Sequence, residues 1–333
     1  MSVTCLPLAA KHVLVHYPPP VCDGTLSALG NHGGFSGAWL GRIECTDGPR
    51  CLRAWPVSAM TTAALSSLHD LMARARLFGL DFVPAVMATS AGPTLVEHAG
   101  RLWELTSWQP GRADYHERPT PERLGAACVA LARLHAAWAD AISPRGPCPA
   151  VQRRLSRIRE WADLVASGWR SPLTASAGDP VRPWAERAWH LLSGAVERVP
   201  ILLAPWTMWD VPLQPCLCDV WHDHVLFEGD KVTGLIDYGA VKVDHVPVDL
   251  ARLLGSLVGA DREGWEVGLQ AYRQVRTLSA DEEALVHVLE ETGTIVAAAN
   301  WLMWLYRDGR EFEDRTGAAR RLALAVARME QIV

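Results

Sequence analysis

The segment CLCDVWHDHVLFEGDKVTGLID, residues 216–237, constrains the fold of this chain more than any other. Asp219 lies in its opening loop, and Asp237 ends its last strand eighteen positions further on. Between them VLF, the turn EGDK and VTGLI read as a hairpin, two apolar runs flanking a glycine-containing turn. Two carboxylates joined in this way suit phosphoryl transfer. One accepts the proton of an attacking hydroxyl, and the other holds magnesium on the phosphates of a nucleotide.

The first nine residues of the segment admit a second reading. Cys216, Cys218, His222 and His224 are all side chains that zinc accepts. Only three residues separate Cys218 from His222, and no glycine is present to turn the chain so sharply. A structural zinc site is the weaker alternative.

Residues 25–110 read as strands with tight turns and one helix. Ala38–Cys45, CLRAWP, FVPAVMAT, TLVEHAG and RLWELTSW form the strands, preceded by the glycine-rich GNHGGFSGA. Leu65, Leu68, Leu71, Met72 and Ala75 recur at helical spacing within Ala59–Phe78. After QPGR the pattern turns helical. Thr120 is an N-cap with Pro121 in the first turn, and Leu124, Cys128, Leu131, Leu134 and Trp138 share one face. Helices over 151–167 and 183–198 follow, and Ser279 with Glu282 makes a capping box before Glu283–Tyr306, with Gly309 as C-cap. The order predicts an α+β chain: an N-terminal extension over 1–24, a small antiparallel β-rich lobe over 25–110, and a larger helical lobe over 111–333 carrying the Asp loop and hairpin.

Composition removes several function classes. A net charge of −5 leaves no basic footprint for a general nucleic-acid binder. The run Arg153, Arg154, Arg157 and Arg159 reads as the solvated face of a helix, with an acidic-substrate patch as the alternative. The longest apolar segment, Thr294–Tyr306, is too short to span a bilayer and contains Asn300, so no membrane partner is expected. Eight cysteines without a C-x-x-C pair, and an N-terminus unlike a signal peptide, predict reduced thiols in a cytoplasmic protein. Trp161, Trp169, Trp184, Trp301 and Trp304 are expected to pack in the core rather than line an aromatic pocket. The sequence is silent on oligomeric state.

The stretch LCDVWHDHVLFEGDKVTGLIDYG resembles, without a gap, the pattern H-G-D-L-x-x-x-N-V-L-F, hairpin, I-D-[WFY]-G of the aminoglycoside phosphotransferase and choline kinase-like enzymes. VDLARLLGSL is similar to the helix start that follows in that family. The likeness runs over about residues 25–330, most strongly in 217–254. It implies a protein-kinase-like two-lobed fold, with ATP between the lobes and its terminal phosphate passing to a hydroxyl of a small-molecule acceptor. It also implies Asp219 as catalytic base, Asp237 as principal magnesium ligand and His224 as second ligand. Arg53 falls on the strand cation that contacts the phosphates, and Gly33, Gly34, Ser36 and Gly37 fall on the glycine-rich cover. The backbone of Ser107, Trp108 and Gln109 falls on the adenine hinge. Asp249 falls on an aspartate that braces the catalytic loop.

Four positions depart from the family pattern. Leu217 stands for histidine, His224 for asparagine and Arg53 for lysine, and the helix over 59–78 has no glutamate to pair with that cation. Only His69 or Asp70 could serve there. Arg53 keeps the charge and grips phosphate in bidentate fashion. An imidazole at 224 favours a softer ion, so Mn2+ stands beside Mg2+. The departures leave open a nucleotide-binding relative without turnover. His135, Cys216 and Cys218 read as core packing, and His222 as a loop polar group.

Overall fold

The computed structural model describes residues 6–30, 37–141, 144–170, 178–312 and 314–332. In chain order the elements are α1 (Leu6–Leu14), β1 (Thr25–Gly30), β2 (Trp39–Glu44), β3 (Arg50–Ala54), α2 (Thr62–Leu77), β4 (Leu95–His98), β5 (Arg101–Ser107) and α3 (Pro121–Trp138). Next come β6 (Arg145–Pro147), α4 (Pro149–Ala166), α5 (Arg182–Ala195), α6 (Arg198–Leu203), β7 (Asp210–Pro212) and β8 (Gln214–Cys216). The chain ends with β9 (Val225–Glu228), β10 (Lys231–Leu235), β11 (Lys242–Asp244), α7 (Pro247–Val258), α8 (Arg262–Arg273), α9 (Ala280–Leu302) and α10 (Arg315–Glu330). The fold is α+β, as the order of patterns predicts. The residues up to Asp114 form one compact unit with Asp223–Tyr238, and Tyr115–His222 with the residues from Gly239 onward form another.

The first unit is built on an antiparallel sheet of order β1-β2-β3-β5-β4. In β2, Trp39, Gly41 and Ile43 are buried while the positions between them are less so, the two-residue period of a strand with one face on the core. Helix α1 lies within the stretch read as an extension. Its Leu6, Ala9, Ala10, Val13 and Leu14 recur every three or four residues and share a core with Trp39, Ile43, Leu52 and Trp103. Thr61 caps α2, its side chain accepting from the Ala64 amide, so this helix starts three residues later than the apolar pattern predicts.

Phe82–Thr89 does not become a strand. It meets β5 through one bridge, Val86 opposite Thr106, while Thr25–Gly30 supplies the fifth strand. Pro84 has no amide to give to a ladder, which limits the pairing to a few bonds such as Met87 N to Leu105 O (2.8 Å). The β9–β10 hairpin belongs to this unit, with Lys231 opposite Glu228 and Gly229 at φ +59° in the turn. Leu235 donates to Phe82 O (2.8 Å), and Arg112 and Phe227 exchange two backbone bonds. Gly111, at φ +95°, leaves no room for a Cβ against Thr233 and Phe227.

The second unit is helical. The Thr120 side chain accepts from the Arg123 amide, as predicted, and Leu124, Cys128, Leu131, Leu134 and Trp138 of α3 are all buried. Each leucine on that face contributes roughly 1.5–3 kcal/mol by leaving water. The face packs on α8, and α9 lies against α4, α5, α7 and α10. The capping box of Ser279 and Glu282 forms as expected, and Gly309 adopts φ +61°. Beyond Leu302 the predicted helix widens into a π-helical turn over Met303–Arg307. β8 pairs with β11, Cys216 opposite Lys242 and Gln214 opposite Asp244, and this pairing anchors the start of the Asp loop. Among the described residues no helix is long and apolar enough to cross a membrane.

Candidate active site

In the first unit, three of the residues singled out by sequence converge. Asp237 follows β10 in the left-handed region at φ +63°, a conformation that costs a non-glycine residue on the order of 1–3 kcal/mol. Its Oδ1 lies 3.3 Å from Nη1 of Arg53, on β3. Its Oδ2 lies 3.8 Å from Nε2 of His224, too far for a hydrogen bond, so imidazole and carboxylate face each other unbonded. The backbone explains this approach: Ile236 N donates to His224 O (2.9 Å), closing the base of the hairpin. His224 Nδ1 is buried and has no partner among the described residues. One carboxylate and one imidazole nitrogen, exposed 44 % and 17 %, make a mixed oxygen–nitrogen donor set that fits a divalent cation.

The counter-ion of Arg53 is a residue the sequence reading missed. Arg53 lies opposite Glu104 in the β3–β5 register, with Nε 3.7 Å from Oε1. The other oxygen, Oε2, bonds His69 Nε2 of α2 at 2.7 Å, and His69 Nδ1 bonds Thr94 Oγ1 at 2.8 Å. His69 therefore reaches the cation only through Glu104, and Asp70 is exposed. Burial works against the Arg53 charge, but Glu104 and then Asp237 outweigh it and hold the guanidinium above its ordinary range. The face of Trp55 lies 5.0 Å from its guanidinium carbon. The signal that could have found Glu104 was strand register.

At the expected hinge, two backbone donors are already committed. Ser107 N donates to Ala85 O (2.8 Å) and Trp108 N to Pro49 O (3.2 Å). Ser107 Oγ accepts from Ala85 N and from Gln109 Nε2, both at 2.9 Å, which ties the hinge to the Phe82–Thr89 segment. Gly37 has φ +74°, a conformation that favours glycine. Gly33, Gly34 and Ser36 lie outside the described residues.

In the second unit, Asp219 stands at the end of a strained turn. Cys218 before it has φ +61°, and Asp249 of α7 holds that turn in place. Leu217 N donates to Asp249 Oδ2 and Cys218 N to Oδ1, each at 2.6 Å. Asp249 is fully buried and also takes His135 Nε2 (3.0 Å), whose Nδ1 bonds Tyr272 Oη (2.7 Å). With its amides so anchored, the loop presents Asp219 with 46 % of the side chain exposed. Oδ1 of Asp219 accepts from Trp221 Nε1 (3.1 Å) and Arg252 Nε (2.7 Å), while Oδ2 has no partner among the described residues. One oxygen is pinned and the other is open, the arrangement a proton acceptor needs. Nothing in the sequence pattern singled out Arg252 or Trp221 as its partners.

The other cysteine and histidine expectations resolve in the same unit. Among the described residues, the group that converges closely enough for a metal is His135, Cys216 and Asp249, within 4.8 Å; Cys218, His222 and His224 do not join it, so the proposed zinc clip is not formed. Asp249 and His135 already spend their polar atoms on protein bonds, and burial pushes the Cys216 thiol well above its ordinary pKa. Burial raises the Cys218 thiol as well, so both behave as packed thiols. The described cysteines are all free. His222 donates its amide to Ser256 Oγ (2.9 Å), and its ring lies 4.3 Å from that of His116.

The basic run on α4 departs from a purely solvated face. Arg153 pairs with the fully buried Asp244, and Arg157 with Glu160 at 2.7 Å. Arg154 donates to the carbonyls of Ala150 and Leu289, both at 3.2 Å. Trp161, Trp169 and Trp189 pack on one another with centroids 5.4–5.7 Å apart.

The sequence model of the phosphotransferase enzyme family matches residues 37–285. The chain belongs to that family. The matched region takes in β2–β5, the Asp loop, the hairpin and the brace on α7. A homoserine kinase of Xanthobacter autotrophicus is 27 % identical over 208 residues, covering 60 % of this chain and 57 % of that protein's own length. The chain thus spans under two thirds of that relative. Among solved structures, a spectinomycin phosphotransferase aligns with a TM-score of 0.62 at 10 % identity, covering 92 % of this chain and 93 % of its own. A microcompartment-associated aminopropanol kinase aligns with a TM-score of 0.61 at 19 % identity, covering 98 % and 97 %. At such identities the likeness establishes the fold, which is the protein-kinase-like fold of these phosphotransferases.

Proposed function

We propose that this phosphotransferase-family chain moves the terminal phosphate of ATP onto a hydroxyl of a small molecule. The observation that carries the reading is the state of Asp219: a carboxylate on a braced loop, one oxygen held by Arg252 and Trp221, the other open. In this reading the open oxygen accepts the proton of the acceptor hydroxyl as the oxygen attacks the phosphate. Asp237 and His224 hold the divalent ion, Mg2+ or the softer Mn2+, whose bound charge would offset that of the nucleotide phosphates. Arg53 contacts those phosphates, Gly37 belongs to their cover with Gly33, Gly34 and Ser36, and Ser107, Trp108 and Gln109 receive the adenine. Gln109 is the hinge position whose backbone N–H donates to no described group. Support for a nucleotide comes from the related spectinomycin phosphotransferase, solved with ADP. The homoserine kinase relative makes homoserine the first acceptor to test.

The test is ADP release with ATP and Mg2+ or Mn2+ across a panel of small alcohols, repeated with Asp219→Asn. The variant should lose transfer by about 10²- to 10⁴-fold while still binding nucleotide. Nucleotide binding by the native chain with no turnover on any acceptor would instead identify a nucleotide-binding module. Full activity of Asp219→Asn would remove Asp219 as the base.

A further inference from the structure

Asp237 divides its two oxygens between unlike neighbours. Nη1 of Arg53 donates to Oδ1 (3.3 Å), and Nε2 of His224 faces Oδ2 from 3.8 Å. The carboxylate read as the principal metal ligand is therefore also a counter-ion of the guanidinium read as the phosphate contact. Both partners are held where they meet. Asp237 sits at φ +63° at the foot of the hairpin, which Ile236 N closes by donating to His224 O (2.9 Å). Arg53 is held from β5 by Glu104, Nε to Oε1 3.7 Å, in a register that fixes the two residues opposite each other. From β3 itself the face of Trp55 lies 5.0 Å from its guanidinium carbon. Nη2 of Arg53 has no partner among the described residues. A planar guanidinium can thus stack on Trp55, reach Asp237 through one amino group and keep the other for an anion, which a lysine ammonium could not.

A divalent cation taken up by Asp237 and His224 meets the charge of Arg53 on the same carboxylate. Two cations then share one anion in a half-buried site, where water screens them less than it would at an open surface. Each weakens the hold of the other, and linkage makes the effect mutual. Nucleotide phosphates reverse the sign, because both cations attract them. We propose that Arg53 has a second role beside phosphate contact: it competes with the metal ion for Asp237, so that ion and nucleotide load cooperatively and the ion alone is held weakly. The inference rests on the assignment of Asp237 and His224 to the ion and of Arg53 to the phosphates.

The test measures Mn2+ binding to the full chain, by loss of the free ion's paramagnetic resonance signal, with and without ADP. Arg53→Gln removes the competing charge, so Mn2+ affinity without ADP should rise by about tenfold while ADP binding weakens. The gain in Mn2+ affinity that ADP confers should shrink in the same variant. Opposite shifts for ion and nucleotide distinguish competition from a loosened site, which would weaken both. Arg53→Lys keeps the charge and should leave Mn2+ binding near the native value. Should the glutamine variant not fold, Arg53→Met, uncharged and able to lie along Trp55, must show the same rise. Unchanged or weaker Mn2+ binding in the uncharged variant, or an equal rise in Arg53→Lys, overturns the proposal. Asp237→Asn separates the proposal from the reading beneath it. If that variant abolishes Mn2+ binding while removal of the Arg53 charge leaves it unchanged, the metal site stands and the competition falls. If Asp237→Asn binds Mn2+ as the native chain does, the ion does not reside at Asp237 and both fall.

Discussion

Arg53 and Glu104 face each other across β3 and β5, with Nε 3.7 Å from Oε1 and the same carboxylate bonded to His69 at 2.7 Å. The cation proposed to hold nucleotide phosphates is thus oriented from the sheet, where the sequence suggested a partner on the helix. Glu104 is buried, and each of its oxygens faces one of these partners.

Glu104→Gln keeps the shape and removes the charge that steadies Arg53. KM for ATP should rise by about tenfold, the loss of one charge-assisted contact, with a smaller change in kcat. Steady-state kinetics with ATP as the varied substrate checks this; an unchanged KM would mean that Asp237 alone orients Arg53.

His224 offers nitrogen where magnesium prefers oxygen. His224→Asn should raise activity with Mg2+ relative to Mn2+ by about tenfold, a typical consequence of altering a metal's ligand environment. Rates measured with each metal at saturation give the ratio directly. A ratio that does not move would place His224 away from the metal.

Asp249→Ala should destabilise the second unit sharply. It strands two buried amides, those of Leu217 and Cys218, together with the His135 ring. A loss of about 3–5 kcal/mol is expected from breaking so connected a buried site, and urea unfolding would register it. A loss below about 1 kcal/mol would show that the loop holds its shape without the brace.

Stability should fall as the solution is acidified. Burial lowers the pKa of His135 below the ordinary histidine value, against the opposing pull of Asp249, and burial lowers His245 as well. The unfolded chain then binds protons that the folded chain refuses. Stability therefore rises with pH between the lowered folded-state values and about 6.5, and levels off above it. Urea midpoints taken between about pH 5 and 8 test this, and His135→Gln should flatten the slope. A slope of the opposite sign would mean that His135 is protonated in the fold.

Several features were legible in the chain because their causes lie within a few residues of one another. The Thr120 cap, the Ser279–Glu282 box and the β9–β10 turn each close over three or four positions, so residue type and spacing suffice. Helix α1 carried the same kind of signal, but two of its five buried positions are alanines, which mark an apolar face weakly. Phe82–Thr89 shows the converse: its composition favours a strand, yet it makes one bridge to β5.

By itself the sequence determined the succession of a β-rich stretch and a helical one, the family pattern running through Asp219 and Asp237, and, through that resemblance, Asp249 as the residue that braces the loop. Only the tertiary structure decided which charges meet. Arg53 and Glu104 are separated by fifty-one positions and are matched by strand register. Asp219 and Arg252, thirty-three apart, meet because β8 and α7 bring them to one place. Charge pairing at such separations depends on how elements dock, and docking is set by burial of apolar faces that are indifferent to which ions they carry along.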